Sequence, residues 1–386
     1  MYKMWLKIVV FCIASEIYSD PLLVAVLMVK NEASTMEMTL QPLVDAGIHD
    51  FLIYDTGSTD NTIQVAQDFF IQNNITNFVI EQGEFVDFAT SRNKALELTD
   101  QYFPDATFML MPDAEWILHN GDELLKFCEE QKNNSEPLYF MKAIGTSVDM
   151  YHARLIRCKS NVAFVGKVHE MPNINPNATV PHDIFFELDP THHGQKKTKE
   201  RWLQDRDFLL EELQENPENP RTVYYLAQTY FCLQDWDNAI KWYEKRITMN
   251  GYSGETFLAH YMLAEAYGLA GNEKKMVNAY LKAFSLRPHR AEPLIKLAQH
   301  YYNIGAYNLC YVFAKYAVSM PYLDDFAPSD KWLYDFVRYS VVSATAGYFK
   351  EYQLGKQATL QALKVCPNDQ TLQNNLNFYQ TALGEK

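Results

Sequence analysis

From Pro21 onward the chain alternates short apolar runs with segments of helical periodicity, and that alternation leaves few folds open. The runs are LLVAVLMV (Leu22 to Val29), FLIY (Phe51 to Tyr54), FVIE (Phe78 to Glu81) and FMLM (Phe108 to Met111). Helical patterns separate them, one reaching about Ala46, one beginning at Asn61 and one running through Arg92. The order is βαβαβαβ. Strands apolar on both faces need helices on both sides, so the pattern predicts a doubly wound α/β domain with a largely parallel sheet. Such sheets bind ligands beyond the carboxyl ends of their strands, which makes the residues after each run the candidates. Lys30, Asn31 and Glu32 follow the first run, Asp55 to Asp60 the second, Gly83 to Asp87 the third and Asp113 to Glu115 the fourth. Four polar clusters are therefore expected on one edge.

The second half is helical, Tyr-rich and repetitive. Leu226-Ala227, Leu263-Ala264 and Leu297-Ala298 recur at spacings of 37 and 34, each with an aromatic three residues after the Ala: Tyr230, Tyr267 and Tyr301. Twelve residues past each Ala a second apolar stripe begins, at Ala239, Met276 and Cys310. The same offsets from Ala344 give Gly347 and Lys356, a weaker fourth copy after an insertion around Pro321 to Pro328. Helix pairs near a period of 34, with small residues where helices touch, are the mark of tetratricopeptide-type repeats, an all-α solenoid. The expected division is an α/β domain over 21–200 and a repeat domain over 201–386.

Charge narrows the partners. The chain has 34 basic and 48 acidic side chains, net −14, which argues against nucleic-acid binding. The excess is lopsided, with 28 acidic against 15 basic residues in the first 200. The six cysteines are scattered without a CxxC pair, so neither a disulfide framework nor a zinc site is expected. No run is long enough to span a membrane. Lys3 and Lys7 precede an apolar run from Ile8 to Ala14, however, and a signal peptide within residues 1–20 is one reading. With sequons at Asn74, Asn133 and Asn177, passage through the secretory pathway is favoured over a cytoplasmic location.

Asp113 and Glu115, two residues apart after a buried strand, can serve one hard divalent cation, Mg²⁺ or Mn²⁺, that keeps positions open for phosphate oxygens. An acidic domain that holds a diphosphate needs such an ion between them, and the ion would also neutralise charge on a departing diphosphate. In DTGSTDNT (Asp55 to Thr62) the residues from Gly57 to Asn61 are explained by a βα turn alone. Asp55, at the strand end, reads equally as a turn residue or as a contact for a base or ribose.

VLMVKNE, YDTGSTDNT, DFATSRNKAL, MLMPDAEW and VGKVHE occur in this order, and with the repeats the chain resembles a family 2 glycosyltransferase of the GT-A fold carrying appended tetratricopeptide repeats. The resemblance covers about residues 22 to 380. It implies a Rossmann-like GT-A domain and transfer, with inversion, of a sugar from a nucleotide-sugar donor, a UDP-sugar, to a hydroxyl of a glycan or protein. Lys30, Asn31, Glu32, Asp55, Arg92 and Asp113 would then face the donor. Asp113 and Glu115 would be the metal site, with Glu115 standing where the family has Asp. Glu170 would be the catalytic base, oriented by His169. A late histidine, His192 of the H-x-G form or else His193, would complete the metal shell; Lys196, Lys197 and Lys199 follow it. The alternative from another class is a catalytically weak nucleotide-sugar fold kept as a scaffold, with the repeats binding a partner protein.

Overall fold

The computed structural model describes residues 20–145, 148–174, 177–188, 199–322 and 329–385. They divide into two compact units that meet in sequence between Thr198 and Lys199.

In the first unit the strands β1 (Leu23–Val29), β2 (Asp50–Asp55), β3 (Asn77–Gln82) and β4 (Phe108–Leu110) alternate with helices α1 (Met36–Asp45), α2 (Thr62–Gln72) and α3 (Phe88–Tyr102). β1 is flanked by β2 and β4, β3 lies outside β2, and all three pairings are parallel. Leu23, Ala25, Leu27 and Val29 of β1 enter a core shared with α1 and α2, while Val24 and Val26 enter a second core against α3. Each Leu or Val so taken out of water contributes roughly 1.5–3 kcal/mol, which is why a strand apolar at every position lies in the middle of the sheet.

Beyond β4 the sheet is mixed. The remaining elements are β5 (Trp116–His119), α4 (Gly121–Gln131), β6 (Leu138–Ile144), β7 (Val148–Arg157), β8 (Phe164–Val165), β9 (Met171–Pro172), β10 (Ala178–Thr179) and β11 (Phe185–Leu188). The main path runs β3-β2-β1-β4-β7-β6-β11-β5. β6 pairs in parallel with β10 and β11, and antiparallel pairs stand among these: β7 is antiparallel to both β4 and β6, and β5 to β11. The cause is chain length: a parallel return needs a crossover of a dozen or more residues, and only 145–147 separate β6 from β7.

The second unit contains α5 (Lys199–Glu215), α6 (Pro220–Cys232), α7 (Trp236–Arg246), α8 (Ser253–Leu269), α9 (Glu273–Leu286), α10 (Glu292–Asn303), α11 (Tyr307–Ser319), α12 (Arg338–Thr345), α13 (Tyr352–Val365) and α14 (Gln370–Ala382). The repeat positions are buried as the spacing requires, with Ala227, Ala264, Ala298, Ala239, Met276 and Cys310 all in one continuous core. Gln234, Gly271, Gly305 and Lys350 occupy corresponding inter-helix turns, each with φ between +60° and +76°. The fourth copy departs from the pattern: α12 is preceded by a π-helical turn (Leu333–Val337) and followed by a 3₁₀ turn (Ala346–Phe349) that contains Gly347. Glu292 anchors this region, accepting from Arg290, Ser329 and the Tyr334 hydroxyl. Among the described residues the cysteines are free thiols; Cys128, Cys158 and Cys310 are buried, and Cys232 and Cys366 are half-buried.

Candidate functional site

The loops after β1, β2 and β3 are joined by hydrogen bonds at the carboxyl edge of the sheet. The Val29 carbonyl accepts from both the N–H and the hydroxyl of Thr56, at 2.9 and 3.1 Å. Asn31 has φ +59°, and its side-chain oxygen accepts from the Thr59 N–H at 2.7 Å while its own N–H donates to Ser58 Oγ at 2.8 Å. The Glu32 N–H donates to Thr62 Oγ1 at 2.8 Å, and the Gly83 N–H to the Asp55 carbonyl at 2.9 Å. Lys30 is exposed and lies over the Phe85 ring at 5.6 Å. Asn31 and Glu32 thus have a local task that the motif reading did not assign: they hold the second loop in place.

Asp55 is fully buried. Its Oδ1 accepts from the N–H groups of Gly57 and Ser58, both at 3.0 Å, whereas its Oδ2 has no hydrogen-bond partner. A buried carboxylate oxygen without a donor is costly to leave so, and it can accept from a ligand's N–H or hydroxyl.

At the end of β4 lies a second constellation. Arg92, on the first turns of α3, donates through Nη2 to Asp113 Oδ1 at 2.6 Å and through Nε to Glu170 Oε1 at 2.5 Å. Arg154, from β7, donates through Nη2 to Asp113 Oδ2 at 3.0 Å. Both guanidiniums are buried, with side-chain exposures of 5% and 6%, while the Asp113 side chain is 35% exposed. Three of the predicted site residues, Arg92, Asp113 and Glu170, therefore form one network.

Local structure explains the placement. Asp87 caps α3, accepting from the Thr90 N–H at 2.7 Å, and so fixes the helix start one turn before Arg92. Asn93 bonds the backbone of Phe164 in both directions, which ties α3 to the β8–β9 hairpin. Within that hairpin Gly166 and His169 have φ of +99° and +52°, and the chain delivers Glu170 immediately before β9. Glu115 is half-buried in the turn between Asp113 and Trp116. His192 and His193 lie outside the described residues, as does the segment 1–19.

Arg154 and His152 were not singled out by sequence, although two basic residues in the otherwise apolar HARLI stretch were the available signal. The placement of Arg154 comes from a β-bulge. Leu155 pairs with Tyr139 and Ala153 with Phe140, which leaves Arg154 as the extra residue, its carbonyl accepting from the Met111 N–H at 2.9 Å. A bulge re-aims the side chain it carries. Here the guanidinium lies 4.9 Å from the Trp116 ring centre, and that ring packs on His152 at 5.0 Å.

Electrostatics follow from this packing. Burial opposes ionisation of Asp113, but Arg154 and Arg92 outweigh it and hold the carboxyl well below the usual carboxylate range. Burial, and then the positive charge of Arg154, push the His152 imidazole down to about 3, so it is neutral near pH 7. Among the described residues no group of three or more His, Cys, Asp and Glu could hold a metal ion. Both Asp113 oxygens already accept from guanidiniums, and the unmet atoms beside them are nitrogens: Arg92 Nη1, Arg154 Nε and His152 Nε2. The remaining predicted ligands are Glu115, half-buried beside Asp113, and His192 or His193, which lie outside the described residues.

No protein-family model matches the chain, and no curated protein matches it either. Solved structures similar to it include tetratricopeptide-repeat proteins. The C-terminal part of one from Cytophaga hutchinsonii is 14% identical with a TM-score of 0.37, over 48% of this chain and 67% of that one. Another, from Parabacteroides merdae, is 13% identical with a TM-score of 0.35, over 48% and 68%. A third, from Thermus thermophilus, is 19% identical with a TM-score of 0.31, over 48% and 91%.

Proposed function

We propose that the chain is a nucleotide-sugar-dependent glycosyltransferase of the GT-A type, moving a sugar from a UDP-sugar to a hydroxyl of a glycan or protein. The observation that carries this reading is the buried network of Arg92, Asp113, Arg154 and Glu170 at the carboxyl edge of the sheet. Buried ion pairs contribute little stability relative to apolar packing of the same volume, so four charges kept there call for a ligand-directed role. Asp55, with its unpaired oxygen, would receive the nucleoside. Glu170 would take the proton of the acceptor hydroxyl as its oxygen bonds to the anomeric carbon. The bond from that carbon to the diphosphate breaks on the opposite face, and the nucleoside diphosphate leaves with inversion.

A second reading, partner binding by the helix pairs, is favoured by apolar side chains exposed on the second unit, among them Tyr302, Val312 and Tyr348. Stacked helix pairs build extended surfaces of this kind. Calorimetric titration with UDP decides between the readings. Binding that is lost in Asp55→Asn supports the transferase; absence of UDP binding to the wild-type chain leaves the scaffold reading.

A further inference from the structure

Three nitrogens around Asp113 are buried without hydrogen-bond partners: Arg92 Nη1, Arg154 Nε and His152 Nε2. Arg92 Nη1 and Arg154 Nε are donors, and their unmet capacity points to a missing partner with oxygen acceptors. Charge narrows it further. The guanidiniums of Arg92 and Arg154 are matched by the carboxylates of Asp113 and Glu170, so these four paired groups carry no net charge. A diphosphate seat has a surplus of cations, and a metal seat a surplus of anions. A neutral set of planar donors and acceptors suits hydroxyl groups, each of which donates and accepts at once. The bulge at Arg154 and the Trp116 ring against it keep the guanidinium fixed in this role.

We propose that Arg154, acting with Asp113 and Arg92, is a specificity-determining residue that recognises hydroxyls of the donor's sugar ring. The inference rests on the nucleotide-sugar reading of the first unit, and it moves Asp113 from metal ligand to sugar contact. A hydrogen bond to a charged group is worth about 1.5–3 kcal/mol, so its loss lowers affinity for the sugar by roughly 10–100-fold.

The test is titration of the full chain with UDP and, in parallel, with UDP-glucose, UDP-galactose and UDP-N-acetylglucosamine, for wild type, Arg154→Lys and Arg154→Gln. Thermal melting reports whether each variant is folded. Trp116→Phe, which keeps all four charges but shrinks the ring against Arg154, carries the same test if the Arg154 variants do not fold. The expected result is that wild type prefers one UDP-sugar over UDP, and that the variants lose this preference tenfold or more while binding UDP within twofold of wild type. Equal weakening of UDP and UDP-sugar would make Arg154 a strut or a nucleotide contact and overturn the proposal. UDP binding with no sugar preference in wild type overturns this inference alone; no binding of any of these ligands overturns the nucleotide-sugar reading with it.

Discussion

Asn93 closes two hydrogen bonds on the backbone of Phe164, donating from its side-chain amide to the carbonyl at 2.9 Å and accepting from the N–H at 2.7 Å. Its neighbour Arg92 reaches Glu170 in the same hairpin, so consecutive residues of α3 hold both the backbone and the carboxylate. Asn93→Ala removes the backbone clamp and leaves two polar groups of Phe164 unpaired. It is expected to cost about 1–3 kcal/mol in denaturant unfolding and to lower sugar transfer, whereas Asn93→Asp, which keeps the acceptor, is milder on stability. Equal unfolding midpoints for Asn93→Ala and wild type would show that the clamp contributes nothing.

Replacing Asp113 by Asn leaves Arg92 and Arg154 buried next to a neutral amide. Because the Asp113 side chain is 35% exposed and Arg92 keeps Glu170, a loss of about 1–3 kcal/mol is expected by chemical denaturation, together with loss of transfer. Glu170→Gln keeps a group that accepts from Arg92 but cannot take a proton. Its expected signature is a fall in turnover of roughly 10²–10⁴-fold with nearly unchanged UDP affinity. Turnover within tenfold of wild type would remove Glu170 from the role of base.

Gln234 and Lys350 hold the left-handed conformation that Gly271 and Gly305 adopt in the corresponding turns, with φ of +60° at each. A side chain there is strained, so Gln234→Gly and Lys350→Gly are each expected to stabilise the second unit by about 0.5–1 kcal/mol, read as a raised melting temperature. Gly271→Ala is expected to shift it the other way.

His260 is buried in α8, and burial, followed by Lys282, pushes its imidazole down from 6.5 to about 4. Between those values the unfolded chain binds a proton that the folded chain does not. The contribution of neutral His260 is therefore complete above pH 6.5 and is lost as pH falls toward about 4. After allowing for solvent screening, the difference is roughly 1–2 kcal/mol. Comparing unfolding free energies of wild type and His260→Gln at pH 7.5 and pH 4.5 checks this, since the variant should lose less on acidification.

What could be read along the chain was whatever depends on local pattern. β1 to β4 were legible because each is apolar on both faces, and the helix pairs because Ala227, Ala264 and Ala298 mark the same contact in successive copies. The meeting of the loops after the strands was legible because the parallel pairs β3-β2-β1-β4 bring their ends to one edge. The mixed half was not legible, since the direction of β7 follows from a short connection and its pairing with β4 and β6. Arg154 was hidden for the same reason: only the bulge against β6 aims it at Asp113, and no residue spacing encodes that. The repeat offsets of three and twelve residues likewise missed the π-helical turn before α12, where Tyr334 donates to Glu292, and the 3₁₀ turn after it.

β1 is apolar on both faces, so sliding it by one residue against β2 would cost little in burial, and hydrophobicity alone gives this strand no preferred register. What distinguishes the correct alignment is its polar end, where Val29 receives Thr56 twice and Asn31 and Glu32 meet Ser58, Thr59 and Thr62. A slip of one position would separate all of these partners at once. The edge at the carboxyl ends of the strands is thus also the index mark by which the central strands find their alignment, and substitutions in it should be expected to produce misfolded chains.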